Sequence, residues 1–331
     1  MARLCAAITS ALVVGFVASA AGQQIAAPPP VETVTVTASA RAPAIWHATR
    51  NGADVSILGI VQPLPDDFAW NTRPLQTILD GARLILLPPR VRMGVFGGAW
   101  FYLTERDLLH PPDGKTLWDV LDPEVAARLA AICDQLREPK VRYSDSSPIA
   151  AGMNLGSDFR HVYDLTTHEP EDTIRALARQ RRLEVRRVAD YDMIPSAEDL
   201  LKLPSARTGK CLDAAADDIA FQSRHVHSAA EAWAAGDVPG MLANWSEPKF
   251  YSCLVALSPH VTALDARSIN DTVEAISGAL DRGGRSVAVV DIGILLRENG
   301  VLDRLRSDGV SIAAPSSVSQ GSSIAGSRGP A

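Results

Sequence analysis

Residues 286–290 read SVAVV, a short apolar run between two helix-like patterns. Ile269–Leu280 precedes it with helical spacing, and Gly283-Gly284 closes that helix. Leu295–Ser307 follows as a second expected helix, then Gly309 and another apolar run at Val310–Ile312. A buried strand set between helices, followed by a second strand, argues for an α/β body, with α+β as the alternative, built on a central mixed, largely parallel sheet flanked by helices.

The rest of the chain fits that frame. Ile45–Thr49 and Val55–Ile60 read as two strands around Asn51-Gly52, an N-terminal β-hairpin. A helix is expected over Arg73–Asp80, a buried strand over Leu84–Leu87 and helices over Thr116–Leu121 and Pro123–Leu136. Residues 139–170, rich in Ser, Pro and Gly, read as the least regular stretch. Glu171–Arg182 and Gly209–Ala235 are expected helices of a helical middle region, with a strand at Leu183–Val188. Across 331 residues the chain is 47% hydrophobic with a net charge of −6, too apolar for a disordered chain and without the basic excess that nucleic acid needs.

The two ends differ from this body. Residues 1–20 carry Arg3, an apolar run to Ala18 and the small-x-small site Ala18-Ser19-Ala20, the pattern of a signal peptide. The expectation is therefore a periplasmic or secreted protein with no stable membrane span after cleavage. Residues 21–43 read as a flexible leader, 44–313 as the folded domain and 314–331 as a disordered tail. Cys133, Cys211 and Cys253 remain after cleavage, an odd count that allows one bridge. If a bridge forms, the expected pair is Cys211–Cys253, with Cys133 free; three buried thiols are the alternative.

Familiar catalytic patterns are missing: no G-x-S-x-G, H-E-x-x-H, P-loop or G-x-G-x-x-G is present. His225 and His227 fall about 200° apart on a helix and cannot share a metal; both read as exposed surface. Asp217 and Asp218 read as solvated or locally paired. Asp291, directly after the apolar strand, stands where α/β folds place functional side chains, or else serves as a helix N-cap.

Several segments, taken in order, resemble the TraB/GumN family, which is similar to the animal Tiki proteins. The matching stretches are IWHATRNGADVSILGIVQPLPDDFAW at 45–70, AWAAGD at 232–237, then Arg267, the SVAVV strand and DIGILLRENGVLDRLRSDGVSI. The resemblance covers about residues 44–313 and implies a metal-dependent hydrolase-like fold, in which the histidines of two Gly-x-x-His motifs are proposed metal ligands.

This sequence departs from that pattern at each donor. The first motif is Gly59-Ile60-Val61-Gln62, with Gln62 at the histidine position. The second aligns with Asp291-Ile292-Gly293-Ile294, so Asp291 replaces glycine and Ile294 replaces histidine. The family glutamate falls at Pro88 and an asparagine at Ser268. An amide is a poor ligand for transition metals, and proline and isoleucine side chains are none. The resemblance thus implies a branch that lost its divalent metal site, with no metal or other cofactor expected. Such a chain reads as a non-catalytic binding or regulatory protein whose ligand is an unidentified protein or peptide. The alternative is a divergent hydrolase or peptidase using Asp291, Gln62, Arg267 and Glu298 in the same cleft.

Overall fold

The computed structural model describes residues 41–315 apart from Asp113. The expected export segment lies wholly outside these residues, and the leader and tail almost wholly.

The chain opens with the hairpin β1 (Ile45–Arg50) and β2 (Ala53–Ile60), turned through Asn51 and Gly52, both at positive φ. Then come β3 (Leu64–Pro65), α1 (Arg73–Leu79), β4 (Leu84–Leu87), β5 (Arg90–Arg92) and α2 (Val95–Glu105). The helical middle region holds α3 (Leu117–Val120), α4 (Pro123–Leu136), α5 (Val141–Ser144) and α6 (Pro148–Val162). Next are β6 (Leu165–Thr166), α7 (Glu171–Arg181), β7 (Glu184–Arg187), β8 (Asp190–Asp192) and α8 (Ile194–Leu201). The last third is α9 (Ser205–Ala234), α10 (Val238–Asn244), α11 (Lys249–Leu257), α12 (Pro259–Asp281), β9 (Arg285–Asp291), α13 (Ile292–Leu296), α14 (Val301–Ser307) and β10 (Ser311–Ala313).

Six strands form the main sheet in the order β10-β1-β2-β9-β4-β7. β2, β9, β4 and β7 are parallel; the hairpin adds β1 antiparallel to β2, and β10 pairs antiparallel with β1 at that edge. Alternation assigns the two faces. Val55, Ile57, Leu84, Leu86, Ala288 and Val290 pack with α12, α13, α14 and the end of α9. Leu58, Ile60, Ile85, Leu87, Val287 and Val289 pack under α1 and α7. A strand apolar on both faces is what a covered parallel sheet requires.

α9 links two cores. Its first half packs Leu212, Ala215 and Ile219 against α4 and α6, while Ala230 and Trp233 near its end enter the sheet core. A disulfide joins Cys211 on α9 to Cys253 on α11 with Cα atoms 5.4 Å apart, and Cys133 is a free, buried thiol.

Three local expectations are corrected. Residues 139–170 are mostly helix: Pro148 occupies the first turn of α6, where a missing N–H costs nothing, and Gly152 admits the Phe250 ring. The expected helix Leu295–Ser307 is two helices, broken where Asn299 takes φ +56° and Gly300 packs on the Ile294 carbonyl. The glycine-rich stretch before Glu105, given no element from sequence, forms α2. That helix turns Gly97 toward Ile194 and leaves Trp100, Tyr102 and Leu103 exposed.

Candidate functional site

β2 and β9 pair in parallel with Ile60 opposite Asp291. Both motif segments therefore leave the sheet at one edge, the carboxyl ends of the strands, where open α/β sheets place their ligands. β4 delivers Pro88 to the same edge.

Each of the motif positions has a structural employment. Gly59 is a packing glycine: a Cβ there would lie 2.7 Å from Ile292 Cδ1 and 3.0 Å from both Leu295 and Trp46. Its carbonyl accepts the indole N–H of Trp233 at 2.8 Å. Gln62, half-buried, donates its amide N–H to the Thr167 carbonyl at 2.7 Å, bracing the loop after β6. The Pro88 carbonyl accepts from Arg187 at 2.6 Å, and Arg187 also pairs with Glu171 at the start of α7. Burial alone would raise the Glu171 pKa, but its bonds to Arg187 and Arg175 hold it below the usual carboxylate range.

Asp291 is the N-cap of α13, its Oδ1 accepting from the Gly293 amide at 2.8 Å. Desolvation raises its pKa, and the amides of Gly293 and Ile294 offset part of that rise. Ile294 packs half-buried against the sheet core. Gly293 lies beneath Trp245, whose indole edge is 3.1 Å from where a Cβ on that glycine would sit.

Trp245 also lines the space beside Gln62, with Phe221, Gln222, Asn244 and Pro63. That space is ≈ 20 Å³, room for roughly one water. One indole thus fills the ground between the two motifs.

The residues weighed for a rebuilt site do not share partners. Arg267 stacks over the Tyr191 ring at 5.0 Å and lies 3.9 Å from Asp271, largely exposed. Glu298 is exposed in the break between α13 and α14. Gln62 turns to Thr167, and Asp291 to its own helix. Sequence reasoning missed the ion cluster beside Asp291: Arg297 bonds Asp265 at 2.5 Å and Glu247 at 3.3 Å, and Tyr251 donates to Asp265 at 3.2 Å. Only the third dimension joins these four residues, so spacing carried no signal for them.

Two expectations from sequence change character. Asp218 is buried, and its carboxylate accepts the backbone N–H groups of Lys249 and Phe250 at 2.9 and 2.8 Å, capping α11 from another helix. Asp217 pairs with Arg128 and Lys249. His227 is exposed, whereas His225 is half-buried, stacked 4.3 Å from Phe221 and bonded to Asn244.

The donor set does not fit a divalent metal. Proline and isoleucine side chains offer no ligand, the Gln62 amide oxygen is a poor one for a transition metal, and Asp291 is a single capping carboxylate. Among the described residues no three His, Cys, Asp or Glu side chains form a group that could hold an ion.

A family model, TraB/PrgY/gumN, matches residues 44–314. The chain belongs to that family. In this TraB/PrgY/gumN member the match spans the segments at Gly59–Gln62 and Asp291–Ile294 and the AWAAGD segment, whose Trp233 bonds Gly59 and whose Asp237 caps α10. No curated protein and no solved structure matches the chain. No helix among the described residues is long and apolar enough to cross a membrane.

Proposed function

We propose that this TraB/PrgY/gumN member is an exported, non-catalytic protein that acts by binding a protein or peptide. The observation that carries the reading is Trp245, which occupies the ground between Gln62 and Gly293 and leaves space for about one water. Catalysis in a cleft needs room for a substrate beside the reacting groups. The employment of Asp291 as a helix cap supports the same reading. The N-terminal pattern of Arg3, apolar run and Ala18-Ser19-Ala20 supports export, with Ala21 as the first mature residue.

The test is metal analysis of the exported protein purified without chelator, paired with a peptide-library assay in added Mn²⁺. The expected result is substoichiometric metal and no metal-dependent cleavage. One equivalent of Mn, Co or Zn that disappears in Asp291→Ala would overturn the reading in favour of a rebuilt hydrolytic site. Intact mass of the exported chain checks the cleavage point, and retention of Met1 would exclude signal processing.

A further inference from the structure

α2 reads VFGGAWFYLTE and carries no charged side chain before Glu105. A helix that lies on a surface ordinarily turns a polar face to water, and this one has none to turn. The body uses one side of it. Phe101 is buried, Gly97 faces Ile194 of α8, and Gly98 faces Met93. The opposite side takes in Tyr102, Ala99, Leu103 and Trp100, spread over about 160° of the helix and centred on Leu103. Ala99 is exposed, Leu103 is 76% exposed, Trp100 70% and Tyr102 59%.

Met93, packed on Gly98, continues this surface beside Tyr102, and Val91, two residues earlier on β5, is exposed as well. Side chains of these sizes at these exposures present roughly 500–600 Å² to solvent. That is the upper end of what a monomeric protein leaves in one apolar patch, and patches of that extent mark contact surfaces. Trp, Tyr and Met are also the residues that interface cores favour.

Area and charge select the occupant. Two copies of the patch set face to face would bury roughly 1,000–1,200 Å², which reaches the range of specific interfaces once a polar rim is added. The rim carries both signs. At the start of α2 stand Arg90 and Arg92, with Asp190 and Asp192 opposite them on β8; at its end stand Glu105, Arg106 and Asp107. Arg90 pairs with Asp190 at 2.6 Å, and Arg106 lies 3.8 Å from Asp107. In a two-fold contact a surface meets itself, so a rim of one sign would repel its own copy, and a mixed rim does not. The same balance gives an anionic bilayer no excess of cations to attract.

We propose that the chain forms a two-fold dimer through α2, with Leu103 of one copy seated on Ala99 of the other and the Trp100 and Tyr102 rings closing the sides. The two helices run antiparallel, which sets their dipoles head to tail and brings Glu105 of one copy toward Arg92 of the other. Ala99, the small residue of the face, is what lets the helices approach. The proposal stands whether or not the motif cleft is catalytic, because the patch and the cleft share no residue.

Sedimentation equilibrium of the chain beginning at Ala21, over the micromolar range, tests it; the expected particle holds two chains. Leu103→Glu sets a charge at the centre of the contact in both copies and should weaken the dimer at least about hundredfold, with circular dichroism unchanged. Trp100→Ala should weaken it at least about tenfold. An equal mixture of Leu103→Glu and Leu103→Lys chains should recover the dimer mass that neither forms alone, because residue 103 lies within reach of its own copy across the axis. A monomer throughout that range, a dimer unaffected by either substitution, or a mixture that stays monomeric would overturn the proposal. A monomer that floats with phosphatidylglycerol vesicles, and ceases to in Trp100→Ala, would overturn it in favour of a membrane surface.

Discussion

Trp233 donates its indole N–H to the carbonyl of Gly59 across 174 residues of chain. The bond fastens the end of α9 to the last turn of β2, directly before the segment that turns out to Gln62. Both partners are buried, and Trp70 packs against the same indole at 5.3 Å. Trp233→Phe leaves the carbonyl unpaired and should cost about 1–3 kcal/mol. Gly59→Ala drives a methyl into Ile292, Leu295 and Trp46 and should cost about 1–3 kcal/mol by overpacking. Urea denaturation of the two variants measures both; a loss under about 0.5 kcal/mol in either would show that the contact is not tight.

The Cys211–Cys253 bridge closes a loop of 42 residues, which the chain-entropy model values at roughly 3–4 kcal/mol. The double serine variant should lose that much in denaturant midpoint terms. Burial pushes the Cys133 thiol up to about 11, with Asp134 adding to the rise, so it should resist thiol reagents until the chain unfolds. Non-reducing peptide mapping that links Cys133 to either of the others would contradict the structure.

Asp158 supplies a pH test. It is buried, and burial alone would raise its pKa. Bonds from Arg142 at 2.6 Å and the Tyr143 hydroxyl at 2.7 Å more than offset this and hold it below the usual range. A depressed folded value contributes stability above the unfolded pKa and loses it as pH falls through the folded one. Asp158→Asn should therefore cost roughly 2–3 kcal/mol near neutral pH. The difference should shrink steadily below about pH 4. A pH-independent gap between the two proteins would refute the assignment.

Asp291 has the opposite sign. Its folded pKa lies above the unfolded value, so the ionised side chain costs stability once pH rises through the folded value. Asp291→Asn keeps a cap acceptor without the charge. It should be at least as stable as the parent at about pH 7, with the gap closing toward about pH 4. Asp291→Ala removes the cap and should cost about 1 kcal/mol. Thermal melts across pH distinguish this from a charge held for function, for which Asn would be the damaging change.

The sheet strands were legible because their signals are local. Val55–Ile60, Leu84–Leu87 and Ser286–Val290 are short apolar runs ended by loops, turns or prolines, and each is a strand at about those bounds. The glycine and proline of α6 pointed the wrong way. Gly152 is there for the Phe250 ring, almost 100 residues away, and Pro148 merely starts the helix. Asp218 read as a mid-helix acid because its partners, the amides that open α11, come 31 residues later.

By itself the sequence determined which side chains stand at the motif positions, Gln62, Pro88, Asp291 and Ile294, because residue identity needs no coordinates. It also determined the parallel strands that carry both motifs, because burial on two faces is written residue by residue. Only the tertiary structure decided what those side chains do. Asp291 turns to its own helix, Gln62 reaches the Thr167 carbonyl, and Trp245 comes from the loop between α10 and α11 to cover Gly293. Hydrogen bonds and packing between distant segments depend on how the helices are laid against the sheet, and no local period encodes that arrangement.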